Sequence, residues 1–143
     1  MTPNESGTRT RVLNCLLVDD SALTRAMVAH ALTAGVGLAV VEAVDGFDAV
    51  RRLAEQRFDL VVADLDLPIL DGLKLVQRIR RDPVHRDTPI LVLTTGAGTD
   101  DRDRALAMGV CDYLARPVQA PQLIAAARRL LNIAEGRGNR SAP

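Results

Sequence analysis

Leu13-Asn-Cys-Leu-Leu-Val18 is an apolar run that stops at two acids and a hydroxyl, Asp19-Asp20-Ser21. Ser21 is a good helix cap, and beyond it Leu23, Met27 and Ala31 recur at the spacing of one helix face. A strand feeding a helix to about Ala34 is therefore predicted. The same unit returns four times. Leu38-Ala-Val-Val-Glu-Ala43 precedes a helix that Asp45 or Gly46 opens and that runs to about Gln56. Asp59-Leu-Val-Val-Ala63 stops at Asp64, and a proline-bearing loop leads to a helix from about Gly72 to Arg81. Pro89 introduces Ile90-Leu-Val-Leu-Thr94, followed by a polar helix from about Thr99 to Met108. Cys111 to Ala115 is a short fifth strand, and Pro121 lies in the first turn of a last helix to about Ile133.

Strands that read as continuous apolar runs, alternating with helices, predict a parallel sheet covered on both faces. With right-handed crossovers this is an open doubly wound α/β sandwich. One domain accounts for the 143 residues. Residues 12–134 are expected to fold. The polar stretches 1–11 and 135–143 read as flexible tails, burying too little apolar surface to offset the entropy of ordering.

Composition narrows the function. No apolar run approaches the ~20 residues that span a bilayer, and the first residues carry no apolar segment of a secretory signal. Membrane insertion and export are not expected; a cytoplasmic location is. Eighteen basic residues balance 18 acidic ones, which argues against DNA binding driven by bulk charge. Aromatics are 2% of the chain, without Trp, too few for base stacking. Cys15 and Cys111 have no His or Cys at ligand spacing and are expected as apolar fillers, without a disulfide. His30 and His85 are expected to face solvent, and Asp100-Asp101-Arg102-Asp103-Arg104 reads as a solvated charge run. Gly35-Val-Gly37 and Gly96-Ala-Gly98 read as turn or cap glycines.

In a sheet of this kind ligands bind beyond the carboxyl ends of the strands, at the switch point. Asp19 and Asp20 follow the first strand, Asp64 and Asp66 the third, and Thr94-Thr95 close the fourth. Tyr113 lies on the fifth strand, with Arg116-Pro117 after it. Two like charges ~4 Å apart repel by roughly 4 kcal/mol at an effective dielectric of 20, so converging carboxylates need a counter-charge. Mg²⁺ suits that need, since it takes oxygen ligands, keeps several waters and works beside phosphate. A carboxylate beside a metal, a hydroxyl and a cationic side chain is the donor set of a phosphoryl acceptor.

From about residue 12 to residue 133, these pieces resemble the receiver domain of the two-component response regulators. The carriers are Leu17-Val-Asp19-Asp20-Ser21, Asp64-Leu-Asp-Leu-Pro68-Ile-Leu-Asp71-Gly72, Thr94, Tyr113 and Arg116-Pro117, each at the matching strand end. The resemblance implies a flavodoxin-like sheet of order 2-1-3-4-5 with five helices and Asp64 as phosphoacceptor. It also implies Mg²⁺ held directly by Asp20 and Asp64, by Asp19 through water, and by the backbone carbonyl of Asp66. Thr94 would hydrogen-bond the phosphoryl group, Tyr113 would move inward as Thr94 does so, and Pro117 would follow a cis bond, which only X-Pro adopts cheaply. One residue departs from the family, which has Lys where this chain has Arg116. A planar fork replaces a compact point charge, and Arg116 is still expected to neutralise phosphate.

The implied partners are a histidine kinase or His-phosphotransfer protein as donor, and a target protein that meets the fourth helix, the fifth strand and the last helix. With no output domain in the chain, the phosphorylated surface is expected to be the message itself. A stand-alone chemotaxis-type regulator is favoured slightly by Val18-Asp-Asp-Ser-Ala-Leu-Thr-Arg25 and Thr94-Thr95; the alternative is a phosphorelay intermediate. No enzymatic activity is expected beyond self-phosphorylation from small donors and self-dephosphorylation. A degenerate receiver that never carries phosphate has only Arg116 in its favour. Leu60-Val-Val-Ala-Asp64-Leu-Asp66 also resembles the first motif of haloacid-dehalogenase-like phosphohydrolases. Those enzymes place a Lys and a further acidic pair after the nucleophile strand. Here the pair precedes it, and Lys74 lies in the helix directly after Asp64.

Overall fold

A computed structural model describes residues 11–67, 72–95 and 99–132. Residues 1–10 of the expected tail 1–11, the expected tail 135–143, Ile133 and Ala134 at the expected end of the domain, the loop residues Pro68, Ile69, Leu70 and Asp71, and Gly96-Ala-Gly98 lie outside the described residues. Five strands and five helices alternate along the chain: β1 (Asn14–Val18), α1 (Ala22–Val36), β2 (Ala39–Ala43), α2 (Gly46–Glu55), β3 (Leu60–Asp64), α3 (Gly72–Arg81), β4 (Ile90–Thr94), α4 (Thr99–Ala107), β5 (Asp112–Ala115) and α5 (Ala120–Leu130). All strand pairs are parallel, in the order β2-β1-β3-β4-β5. The order reverses between β1 and β3, and that crevice is where such a sheet presents a site.

Side chains alternate across the sheet with the period of two that strand geometry dictates. Leu16, Val18, Val61, Ala63, Ile90 and Val92 enter one core, roofed by Ala49 and Leu53 of α2 and by Leu75, Val76 and Ile79 of α3. Cys15, Leu17, Leu60, Val62, Leu91 and Leu93 enter the other, under Val28, Ala31 and Leu32 of α1 and Leu123, Ala126 and Ala127 of α5. Each fully buried Leu, Ile or Val contributes about 1.5–3 kcal/mol of transfer free energy, so the two layers fix the sheet between them. Arg11, expected within a tail, instead forks onto Asp59 at 3.0 and 3.3 Å. Among the described residues, no helix is long and apolar enough to cross a membrane.

Four expectations are corrected. On α1, Leu23 and Met27 are 82% and 50% exposed, and the buried stripe is Val28, Ala31 and Leu32. This helix carries apolar residues on more than one face, so spacing alone does not choose the face that meets the sheet and α5. The helix also runs through Gly35 and ends at Gly37, whose φ of 83° suits a left-handed cap. Cys111 is exposed while Cys15 is buried. The largest departure is His85, which is fully buried. Its Nε2 accepts the Phe58 N–H at 3.1 Å, which leaves the ring proton on Nδ1 to donate to Asp82 Oδ2 at 2.8 Å.

Candidate functional site

The carboxyl edge of the sheet gathers side chains from three strand ends. Asp19 stands just past β1, where its N–H still continues the ladder to the Ala43 carbonyl at 3.1 Å. Its buried carboxylate accepts twice, at Oδ1 from the Ser21 N–H (2.9 Å) and at Oδ2 from Arg116 Nη2 (2.8 Å). Its carbonyl accepts from Arg25 Nη1 at 2.8 Å, and Arg25 Nε donates to Glu42 Oε1 at 2.8 Å. Asp19 is thus held by backbone, side chain and carbonyl together. Its neighbour Asp20 is exposed.

Asp64 ends β3 and is buried. Oδ1 accepts the Asp66 N–H at 2.9 Å, and Oδ2 lies 3.3 Å from Arg116 Nη2. The burial works to raise its pKa; the Asp66 N–H and the Arg116 charge oppose that, while the charges of Asp19 and Asp66 add to it, and the balance lies above the usual carboxylate value. Gly72 at the start of α3 makes this arrangement possible. A Cβ there would fall 2.5 Å from Leu65 Cα and 2.7 Å from the Asp64 carbonyl oxygen. No side chain fits where α3 touches the strand end.

One carboxylate oxygen from each of Asp19, Asp20 and Asp64 lies within 4.8 Å of the others. Three hard oxygen donors, one of them open to solvent, suit a cation such as Mg²⁺ that retains water. Thr94 closes β4, buried, one residue beyond the Leu93 that pairs with Asp64. Its carbonyl accepts the Arg116 N–H at 2.7 Å. Arg116 enters from the turn after β5, and the bond to Pro117 is cis. Tyr113 is half-buried on β5, opposite Val92, and packs on the core beneath α2 and α3.

Asp19, Asp20, Asp64 and Arg116 therefore meet, Thr94 borders them, and Tyr113 sits further along its strand. The Asp66 side chain turns outward to accept from Thr95 Oγ1 at 3.1 Å, a role the sequence reading did not assign to Thr95. Arg25 was also missed. Its place on the first turn of α1 is legible, but its partner Glu42 is identified only by the pairing of β2 with β1, which sets Glu42 opposite Leu17.

The family model described as the response regulator receiver domain matches residues 15–128. The chain is 35% identical over 122 residues, 85% of its length, to the cyclic di-GMP phosphodiesterase response regulator RpfG of Xanthomonas campestris, and spans 32% of that relative. Among solved structures it is similar to the chemotaxis response regulator CheY4 of Vibrio cholerae, at a TM-score of 0.80 and 31% identity over 85% of this chain and 100% of that one. It is similar also to the receiver domain of the sensor histidine kinase PA1611 of Pseudomonas aeruginosa, at a TM-score of 0.78 and 33% identity over 85% and 99% of the two chains. That receiver has a magnesium ion coordinated in its active site cleft.

Proposed function

The chain belongs to the response regulator receiver domain family, and from that premise we propose that Asp64 accepts a phosphoryl group and that the phosphorylated domain signals through its surface. The observation that carries this is the setting of Asp64: a buried carboxylate at a strand end, with Arg116 Nη2 3.3 Å from Oδ2 and two further carboxylates within 4.8 Å. An Asp64 oxygen attacks phosphorus while the bond from phosphorus to the donor breaks. The electron pair stays with the donor, an imidazole nitrogen of a histidine or the carboxylate of a small acyl phosphate. Arg116 offsets charge on the transferring oxygens, and the Thr94 hydroxyl donates to one of them. Asp20, Asp64, Asp19 through water and the Asp66 carbonyl would hold Mg²⁺, which supplies further charge neutralisation when bound.

The likeness to a chemotaxis response regulator over that protein's whole length favours a chemotaxis-type role in the cytoplasm, with a histidine kinase as donor and a protein target at α4, β5 and α5. The comparable likeness to the receiver of a sensor kinase keeps a relay to a His-phosphotransfer protein as the second reading. The test is incubation with acetyl phosphate and Mg²⁺, read by mass spectrometry. Wild type should gain one phosphoryl group at Asp64, and Asp64→Asn should gain none. Phosphate on no residue under any donor would make this a binding module. Steady turnover of p-nitrophenyl phosphate would make it a phosphohydrolase.

A further inference from the structure

The Arg116 guanidinium does more than face the phosphoacceptor. Its Nη2 is 2.8 Å from Asp19 Oδ2 and 3.3 Å from Asp64 Oδ2, so one nitrogen spans two of the three clustered carboxylates. The shorter contact is to Asp19, whose side chain is 1% exposed and whose other oxygen already accepts the Ser21 N–H. Asp19 therefore has no second carboxylate oxygen without a partner. A guanidinium keeps its charge at every pH at which the protein is folded, so no proton loss removes it from the cluster. Any divalent cation held by these acids has to share Asp19 and Asp64 with a fixed positive charge hydrogen-bonded between them.

We infer that Arg116 is an internal competitor for the divalent cation: its hold on Asp19 and Asp64 has to loosen before Asp64 turns to a metal and Asp19 to the water that links it to one, so residue 116 sets the cation concentration at which the site loads. This rests on the proposed metal-assisted phosphoacceptor site and specifies what governs it. The Arg side chain reaches one bond further than Lys and presents a planar fork, whereas Lys is a shorter, strongly hydrated point charge. Lys at 116 keeps the charge near Asp64 and relaxes the grip on Asp19. The choice of Arg in this chain thus raises its demand for divalent cation.

The experiment is Mg²⁺ titration of wild type, Arg116→Lys, Arg116→Ala and Arg116→Gln by two-dimensional NMR, with Mn²⁺ binding measured in parallel by electron paramagnetic resonance. Arg116→Gln keeps much of the side chain and removes the charge, which guards against a packing defect in Arg116→Ala. The neutral variants should bind about tenfold tighter than wild type, as loss of one like charge beside the ion requires, with Arg116→Lys between them. In wild type the Arg116 guanidinium resonances should shift along the same titration curve. Equal affinity in all four proteins overturns the inference and leaves the phosphoacceptor reading intact. So does an Arg116→Lys protein that binds no tighter than wild type, since charge alone would then explain the rest. Absence of binding in every variant overturns both the inference and the proposed metal site.

Discussion

The Phe58 N–H donates to Nε2 of His85 across 3.1 Å with both residues buried, joining the turn before β3 to the turn before β4. This tie lies at the amino edge of the sheet, opposite the acidic cluster. His85→Ala should cost about 2–4 kcal/mol, since it opens a cavity and orphans a buried N–H. Urea unfolding should show a lower midpoint at unchanged slope. A loss within error of zero would mean the turn repacks without the ring.

The same ring gives Asp82 a pH signature. The Asp82 carboxyl is held below its usual value, chiefly by the hydrogen bond from His85 and then by the Val84 N–H. A lowered carboxylate pKa means that the unfolded chain takes up this proton first as the pH falls. The stabilisation is fully present above roughly pH 4 and is lost as the pH drops through the lower folded value. The difference in unfolding free energy between wild type and Asp82→Asn should therefore shrink on acidification across that window. A constant difference at every pH would count against that hydrogen bond.

Gly72→Ala should damage both stability and site. The added Cβ meets backbone atoms of Leu65 at 2.5 Å and Asp64 at 2.7 Å, which cannot rotate away as a side chain would. A cost of about 1–3 kcal/mol follows from overpacking, together with slower phosphorylation because Asp64 moves with its carbonyl. A variant as stable and as readily phosphorylated as wild type would show that α3 shifts freely.

Asp20 is the exposed acid of the cluster, so Asp20→Asn removes a ligand charge with little effect on packing. Its Mg²⁺ dissociation constant, expected for wild type on the order of millimolar for an open oxygen site, should rise several-fold in NMR titrations. Unchanged affinity would remove Asp20 from the ligand set.

Arg116→Lys should be phosphorylated by acetyl phosphate at least as fast as wild type and should respond to beryllofluoride at least as fully at α4, β5 and α5. Arg116→Ala should be slower. Loss of the response in the Lys protein alone would make Arg116 a tuned replacement rather than a drift from Lys.

Much of the fold was legible because its determinants are local. Five apolar runs ended where the strands end, to within a residue or two, and Ser21 and Asp45 cap α1 and α2 as their side chains allow. The acids and hydroxyls of the site were legible for the same reason: each stands at or just past the end of a buried strand, and a parallel sheet sends every such end to one edge. Less of α1 and α4 was legible. Their apolar residues do not single out one face: Leu23 and Met27 share a spacing with the buried Ala31 yet face solvent, as does Leu106.

The sequence by itself determined which segments become strands and helices and which side chains reach the carboxyl edge, since both follow from periodicity over a few residues. Only the tertiary structure decided that Arg116 grips Asp19 across 97 residues of chain, that Arg25 bridges Asp19 and Glu42, and that His85 is buried against Phe58. Those partners are chosen by how the elements stack, and a lone Arg or His looks the same in sequence whether solvent or a buried carboxylate surrounds it.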